Sequence, residues 1–215
     1  AMVIPGKAST GLVLPMLVVG DLFALAYWRR AVSVRDLLRA LPWAVAGVVA
    51  GWRLLGRIDD AQMRPVVGAT VLFILALQVW RQIRDARGGG APAPQGRWPR
   101  LAFAAFMGSL GGVTTMLANA AGPVIGAYLL GLRLNKATFL GTSAWFFFIV
   151  NWIKVPFMVE QGMITRASLA VNLWMIPALV VGVAAGIVVA RRVKQKTFDR
   201  LVIALAALAS LKLLF

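Results

Sequence analysis

Residues 9–28 read STGLVLPMLVVGDLFALAYW, an apolar stretch that ends at Arg29 and Arg30. An α-helix needs about 20 such residues to cross the roughly 30 Å hydrocarbon core of a bilayer. Further apolar blocks follow along the chain, at residues 41–56, 65–80, 101–132, 137–158, 169–190 and 197–215. A soluble domain does not contain such a series of apolar blocks, so the sequence predicts an all-α, polytopic helical membrane protein.

The composition supports this class. Of the 215 residues, 60% are hydrophobic and 14% are charged, whereas a soluble domain carries roughly 25% charged residues. The net charge of +16 would suggest nucleic acid in a soluble protein. Here the basic residues lie in short runs between the apolar blocks, as the positive-inside rule describes for cytoplasmic loops. We therefore expect the lipid bilayer as a partner, and no nucleic acid.

Two residue types with chemical roles are missing, because the chain has no cysteine and no histidine. Without cysteine there are no disulfides and no thiolate metal sites. Without histidine the commonest metal ligand and the usual proton shuttle are lost. We predict that the protein is not an enzyme and that it uses no metal and no cofactor.

The two halves of the chain resemble one another. Lys7–Gly11 aligns with Lys136–Gly141 when one residue is inserted, and Asp21 then falls opposite Asn151. Both halves also contain Pro-x4-Gly-x3-Gly in an apolar block. The ordered matches predict a duplication. We expect three parts in a single transmembrane domain: a first repeat at 1–80, a glycine- and proline-rich cytoplasmic linker at 81–100 and a second repeat at 101–215.

The loop charges give each half an orientation. The loop after the first block has a net charge of +3, the second loop has +1 and the linker has +4. In the second half, residues 160–166 are neutral and residues 191–200 carry +4. Equivalent loops therefore lie on opposite sides of the membrane, and the sequence predicts inverted repeats, as in many secondary transporters.

The block at 101–132 is long and is interrupted by glycines and by Asn119. Because the linker before it and the basic residues Arg133 and Lys136 after it are all expected inside, the block must enter and leave on the same side. The sequence predicts a broken or re-entrant helical hairpin. Its counterpart should precede Lys7, so we expect that the N-terminal hairpin is absent from this sequence and that the first repeat is truncated.

The hairpin is the strongest candidate for a binding site. Non-helical backbone at membrane depth is tolerated only inside protein or beside a wet cavity. A broken helix also offers a positive dipole end that can hold an anion without a buried cation. The alternative is that the small residues only let helices pack closely. The candidate binding residues in this hairpin are Gly111, Gly112, Thr114, Thr115, Asn119 and Pro123.

Polar residues in other apolar blocks complete the candidate site. Thr142 and Ser143 align with Thr10 and its neighbours, which predicts that these hydroxyls face one central cavity. The alternative is that each hydroxyl bonds back to its own helix. Asn151 and Asp21 are matched polar positions, and an ionisable residue within a span is functional by default. Asn151 is therefore a candidate for substrate binding, and Asp21 for proton coupling. The alternative for Asp21 is a paired or interfacial carboxylate, because it lies only two turns from Arg29.

Lys154 is a cation well inside an apolar block. Lysine can bury its aliphatic stem while its ammonium group stays in water. We expect this side chain to snorkel to the membrane interface, and we leave it outside the candidate site.

Three stretches of the chain carry a likeness to a known family. They are PGKASTGLVLP at 5–15 with Asp21, TTMLANAAGP at 114–123, and GTSAWFFFIVN at 141–151 with Lys154 and Pro156. In these residues the chain resembles the sulfite exporter TauE/SafE family of membrane transporters. The resemblance covers essentially the whole chain. It implies two repeats of hydrophobic segments and the export or uptake of sulfite, organosulfonates or related small anions. The family's first glycine-rich hairpin has no counterpart in this sequence.

These observations favour a secondary transporter in the inner membrane of a bacterium. We expect a small anion, such as sulfite or an organosulfonate, to bind between two inverted repeats that alternate access. No nucleotide-binding motif is present, so gradients would drive transport. The alternative is a membrane anchor or subunit that recruits a partner protein without transport activity. The sequence leaves the formation of a homo-oligomer open.

Overall fold

The computed structural model describes residues 6–57, 76 and 96–214. Within these residues every regular element is a helix. Five helices (α1, α2, α3, α5 and α6) are long and apolar enough to cross a membrane. The predicted class of a polytopic helical membrane protein is thereby confirmed. The described helices are α1 Gly6–Trp28, α2 Val34–Leu55, α3 Arg97–Ala118, α4 Ala121–Gly131, α5 Lys136–Glu160, α6 Arg166–Arg192 and α7 Gln195–Leu214.

The predicted blocks and the helices differ at some of their ends. The second block was expected to start at Leu41, but α2 begins at Val34. Its first turn is stabilised by Asp36, which accepts a hydrogen bond from Ser33 Oγ at 2.6 Å and pairs with Arg39 at 3.2 Å. Likewise, α3 begins at Arg97, inside the predicted linker.

Part of the predicted organisation lies outside the described residues. This holds for the third block at 65–80, apart from residue 76, and for most of the linker at 81–100. The division of the chain into two repeats therefore stays a prediction.

Helices α1 and α5 run antiparallel along each other. Near the start of α1, Gly11 packs against the backbone of Met163, just beyond the end of α5. Near the start of α5, Gly141 packs against the backbone of Ala31, just beyond the end of α1. Both positions require glycine, because a Cβ atom at either would overlap a backbone carbonyl group. The pair is thus closed at both ends by close helix-to-loop contacts.

The basic connections gather at one end of the helices, which we call the basic end. Trp145 Nε1 donates to the carbonyl oxygen of Arg29 at 3.2 Å, and Lys136 Nζ donates to that of Val193 at 2.6 Å. The α1–α2, α4–α5 and α6–α7 connections therefore lie together. The neutral α5–α6 turn lies at the opposite end, beside the start of α1. This is the separation that the loop charges predicted.

The largest helix–helix interface in the described part of the chain joins α2 and α3. The two helices run parallel, because Gly108 packs against the backbone of Ala40 and Gly112 packs against that of Ala44. Such close approach is typical of small residues between membrane helices. Since α2 starts at the basic end, α3 starts there too.

Helices α3 and α4 form the predicted broken hairpin. The break lies at Asn119 and Ala120. Beyond it, α4 folds back on α3, so that the ring centroids of Phe103 and Tyr128 are 5.4 Å apart. The hydroxyl of Tyr128 also donates to the carbonyl oxygen of Asp36 in the first turn of α2, at 3.0 Å. Both arms of the hairpin therefore reach the basic end, so the segment begins and ends at the same end of the described bundle.

We expect Gly112→Ala to destabilise the protein and Gly182→Ala not to. A Cβ atom at Gly112 would overlap the backbone of α2, and overpacking costs about 1–3 kcal/mol. A Cβ atom at Gly182 of α6 would meet nothing within 4 Å, so alanine there gains about 0.5–1 kcal/mol of helix propensity. Thermal unfolding of both variants in detergent measures the difference. Equal unfolding midpoints would contradict the close α2–α3 approach.

We expect single cysteines at Gln161 and Gln195 to be labelled from opposite sides of the membrane. Because the chain has no cysteine, Gln161→Cys and Gln195→Cys each carry one thiol. The positive-inside rule puts the basic end, with Gln195, in the cytoplasm. A membrane-impermeant maleimide should label residue 161 in intact cells and residue 195 only after permeabilisation. Labelling of both in intact cells would contradict this topology.

Candidate functional site

The centre of the candidate site is the side chain of Lys154 in α5, which is 0% exposed. Its ammonium group donates to Thr115 Oγ1 at 3.1 Å, to Asn119 Oδ1 at 2.5 Å and to Asn151 Oδ1 at 3.3 Å. An ammonium group has three donors, so every donor has an oxygen acceptor. The prediction that Lys154 snorkels to the interface is wrong, because protein oxygens take the place of water.

Asn119 brings the tip of the hairpin to this lysine. Its backbone is left-handed, with φ at 52°, a conformation that asparagine tolerates better than most residues. Its N–H donates to the carbonyl oxygen of Thr115 at 3.0 Å and so closes the end of α3. While its Oδ1 accepts from Lys154, its Nδ2 donates to the carbonyl oxygen of Thr10 at 2.8 Å. One amide therefore connects the hairpin to both α1 and α5.

Asn151 connects Lys154 to a carboxylate. It lies three residues before Lys154 and so on the same face of α5. Its Oδ1 accepts from Lys154, and its Nδ2 donates to Asp21 Oδ2 at 2.7 Å. Lys154 and Asp21 are therefore connected through the amide of Asn151. In the described part of the chain they form no direct ion pair with each other.

These contacts define a set of residues that we call the Lys154 cluster. It joins α1, α5 and the tip of the hairpin, and it contains one cation and one carboxylate. A buried charge is costly unless it is paired and hydrogen-bonded. The ammonium group has only neutral oxygens as direct partners, so an added anion would find a cation there. The members of the cluster are Thr10, Asp21, Thr115, Asn119, Asn151 and Lys154.

Other predicted site residues lie outside the cluster. The hydroxyl of Thr114 bonds back to Leu110 O of its own helix at 2.9 Å. Gly111 packs against Ile125 of α4, and Gly112 packs against α2. These contacts match the alternative of close helix packing. Pro123 lies in the first turn of α4.

Thr10 and Thr142 do not face one cavity, so that prediction is wrong. The hydroxyl of Thr10 donates to Leu117 O near the tip of the hairpin at 3.3 Å. The hydroxyl of Thr142 accepts from the N–H of Ser33 at 2.9 Å, at the basic end. Because α1 and α5 are antiparallel, the starts of the two helices lie at opposite ends of the pair. Ser143 follows Thr142 and lies at the basic end too.

A cavity of about 290 Å³ lies between α1 and α6. Apart from the tyrosine hydroxyl its lining offers no polar side-chain atom, so it does not suit a small anion. Its lining residues are Phe23, Ala26, Tyr27, Val180, Val183, Ala184 and Ile187.

Sequence reasoning missed Lys154, although a signal was present. Asn151 and Lys154 are spaced by three residues on one helix, and Thr115 and Asn119 are spaced by four at the end of another. Each pair therefore marks one polar face. What the sequence does not show is that the two faces lie against each other.

The model of the sulfite exporter TauE/SafE family matches residues 1–213 of the chain. This match includes every residue of the Lys154 cluster. No curated protein and no solved structure gives a significant match.

We expect Asn119→Ala to lower the stability more than Asn119→Gly. Both substitutions remove the amide that bonds Lys154 and Thr10. Only alanine adds the left-handed backbone penalty of about 1–2 kcal/mol, because glycine adopts that conformation freely. The free energy of unfolding of the two variants, measured side by side in detergent, isolates the backbone effect. Equal free energies of unfolding for the two variants would show that the left-handed conformation of Asn119 is not what separates α3 from α4.

Proposed function

Since the chain belongs to the sulfite exporter TauE/SafE family, we propose that it is a secondary transporter that carries sulfite or an organosulfonate across a bacterial inner membrane. The protein spans the membrane several times, and its family is one of transporters of small anions. The observation that most supports an anion site in this chain is the buried ammonium group of Lys154, which has neutral oxygens as its direct partners.

The Lys154 cluster suits a small oxyanion in charge and in hydrogen bonding. An anion oxygen is a stronger acceptor for an ammonium group than an amide oxygen, because both partners are charged. The first turn of α4 begins two residues after Asn119, and the N–H groups of a first turn have no partner within the helix. A Cβ atom at Gly122 in that turn would meet nothing within 4 Å, so the backbone there is open to a ligand.

The contacts of α1 and α5 support alternating access. In the inverted-repeat interpretation, Gly11 and Gly141 are equivalent residues, and each closes one end of the α1–α5 pair. The equivalent residues Asp21 and Asn151 touch each other between these ends, as residues near a pseudo-two-fold axis would. We propose that one closed end opens while the other stays packed, so that the cluster faces one side of the membrane at a time.

The alternative of an anchor that recruits a partner gives this cluster no role. A structural helix contact would be served better by apolar side chains, since replacing buried ionic groups with well-packed apolar ones is often neutral or stabilising. Flux measured with the purified chain alone separates the two functions, because an anchor moves no anion.

We expect Lys154→Gln to abolish exchange of radiolabelled sulfite in proteoliposomes. Loss of the cation leaves the bound anion without its charged partner, at a cost of about 3–5 kcal/mol. Exchange should therefore fall about 100-fold or more. Lys194→Gln makes the same change at an exposed lysine of the basic end and should exchange like the wild type.

Thermal unfolding of the Lys154→Gln variant shows whether it is folded. Wild-type exchange by a folded Lys154→Gln variant would show that the cluster is not the site. No exchange by the wild-type protein would contradict the proposed function.

A further inference from the structure

The arrangement of the two charges in the Lys154 cluster bears on which anion is carried and on what moves with it. We infer that Asp21, Asn151 and Lys154 form a charge relay, in which one singly charged oxyanion binds at Lys154 together with one proton at Asp21. This inference rests on the proposed function. It assigns to the same site a substrate class, monoanions such as hydrogensulfite or an alkanesulfonate, and a coupling ion.

The first step is the displacement of one acceptor from Lys154. All three donors of the ammonium group are in use, so an anion can bind it only in place of a present partner. The bond to Asn151 Oδ1, at 3.3 Å, is the longest of the three. The two shorter bonds both go to the end of α3 and the break that follows it. The anion therefore replaces Asn151 and leaves the lysine attached to the hairpin.

The second step is the effect on Asp21. Asn151 is the group through which the carboxylate is linked to the cation. When the anion takes the place of Asn151 at the ammonium group, it also takes up the positive charge. Asp21 is then left as a partly buried carboxylate without charge compensation, which is costly in a low-dielectric interior.

On the helices that pack against α1, no other described cation lies where it could balance the charge of Asp21. Those helices are α3, α5 and α6. In α5 the charge facing Asp21 is Lys154. Helix α6 has no charged residue between its ends at Arg166 and Arg191, and α3 has none after Arg100. A proton from the aqueous phase removes the charge of Asp21 instead.

The charges then balance in both states. The empty cluster holds one cation and one carboxylate and is neutral. The loaded cluster holds the cation, the monoanion and a protonated Asp21, and it is neutral again. No covalent bond of the substrate changes. A dianion, or a monoanion without the proton, would leave a net negative charge inside the protein, so the relay excludes both.

Methanesulfonate is the probe for this relay, because it stays singly charged at all working pH values and cannot itself supply a proton. The wild-type chain in proteoliposomes should exchange it when both sides are at equal concentration. With the membrane potential clamped by potassium and valinomycin, an acidic outside should drive accumulation of about tenfold per pH unit. A trapped pH dye should report one proton entering per anion, and sulfate should not compete.

Asp21→Asn should uncouple the proton from the anion. The variant keeps the shape of the side chain but cannot titrate, so its cluster is positive when empty and neutral when loaded. We expect its uptake to lose the response to the pH gradient and to respond to membrane potential. The matched control is Asp36→Asn, the same change at the carboxylate that pairs with Arg39 at the basic end, which should keep wild-type coupling.

The outcomes separate the inference from the function on which it rests. Exchange without a response to the pH gradient, or wild-type coupling by Asp21→Asn, would overturn the relay and leave the transport function standing. Exchange of sulfite but not of methanesulfonate, or competition by sulfate, would overturn the monoanion class. If neither sulfite nor methanesulfonate exchanges, the proposed function itself fails.

Discussion

The ammonium group of Lys154 is buried between α5 and the tip of the hairpin, where each of its donors needs an acceptor from the protein. It needs three oxygen partners, and two of them come from a hairpin that is distant in the chain. Asn119 can reach the lysine because the helix ends there in a left-handed residue. The glycine contacts between α3 and α2 in turn fix the position of this tip along the helix bundle. The contacts between α2 and α3 thus help to hold the two hairpin oxygens at the ammonium group.

The features that sequence analysis predicted correctly are those with local causes. A run of apolar residues defines a span whatever surrounds it, and the charges of short loops separate the two ends of the helices. The broken hairpin also followed from local signals, since basic residues flank the block at 101–132 and Asn119 interrupts it. The predicted starts of α2 and α3 were less accurate, because a short segment beside a span can either continue the helix or lie outside it.

The features that sequence analysis missed depend on which residues of neighbouring helices lie opposite them. Lys154 is six residues from the last residue of α5, near enough for snorkelling, and only the facing oxygens of Thr115 and Asn119 keep it inside. Gly111 and Gly112 have the composition of a binding loop, and in the structure they pack against α4 and α2. Thr10 and Thr142 lie near matching positions of the predicted repeats and yet lie apart, since the helices that carry them are antiparallel.

In the predicted duplication, Asp21 and Asn151 are equivalent residues, and they touch each other. Two aspartates facing each other there would repel and give the cluster a net negative charge beside one lysine. Two asparagines would leave the lysine without a balancing charge. With one of each, the amide can donate to the carboxylate and accept from the ammonium group at the same time, and the cluster is neutral. In the proposed relay, this difference between Asp21 and Asn151 lets an anion interrupt the link between the two charges.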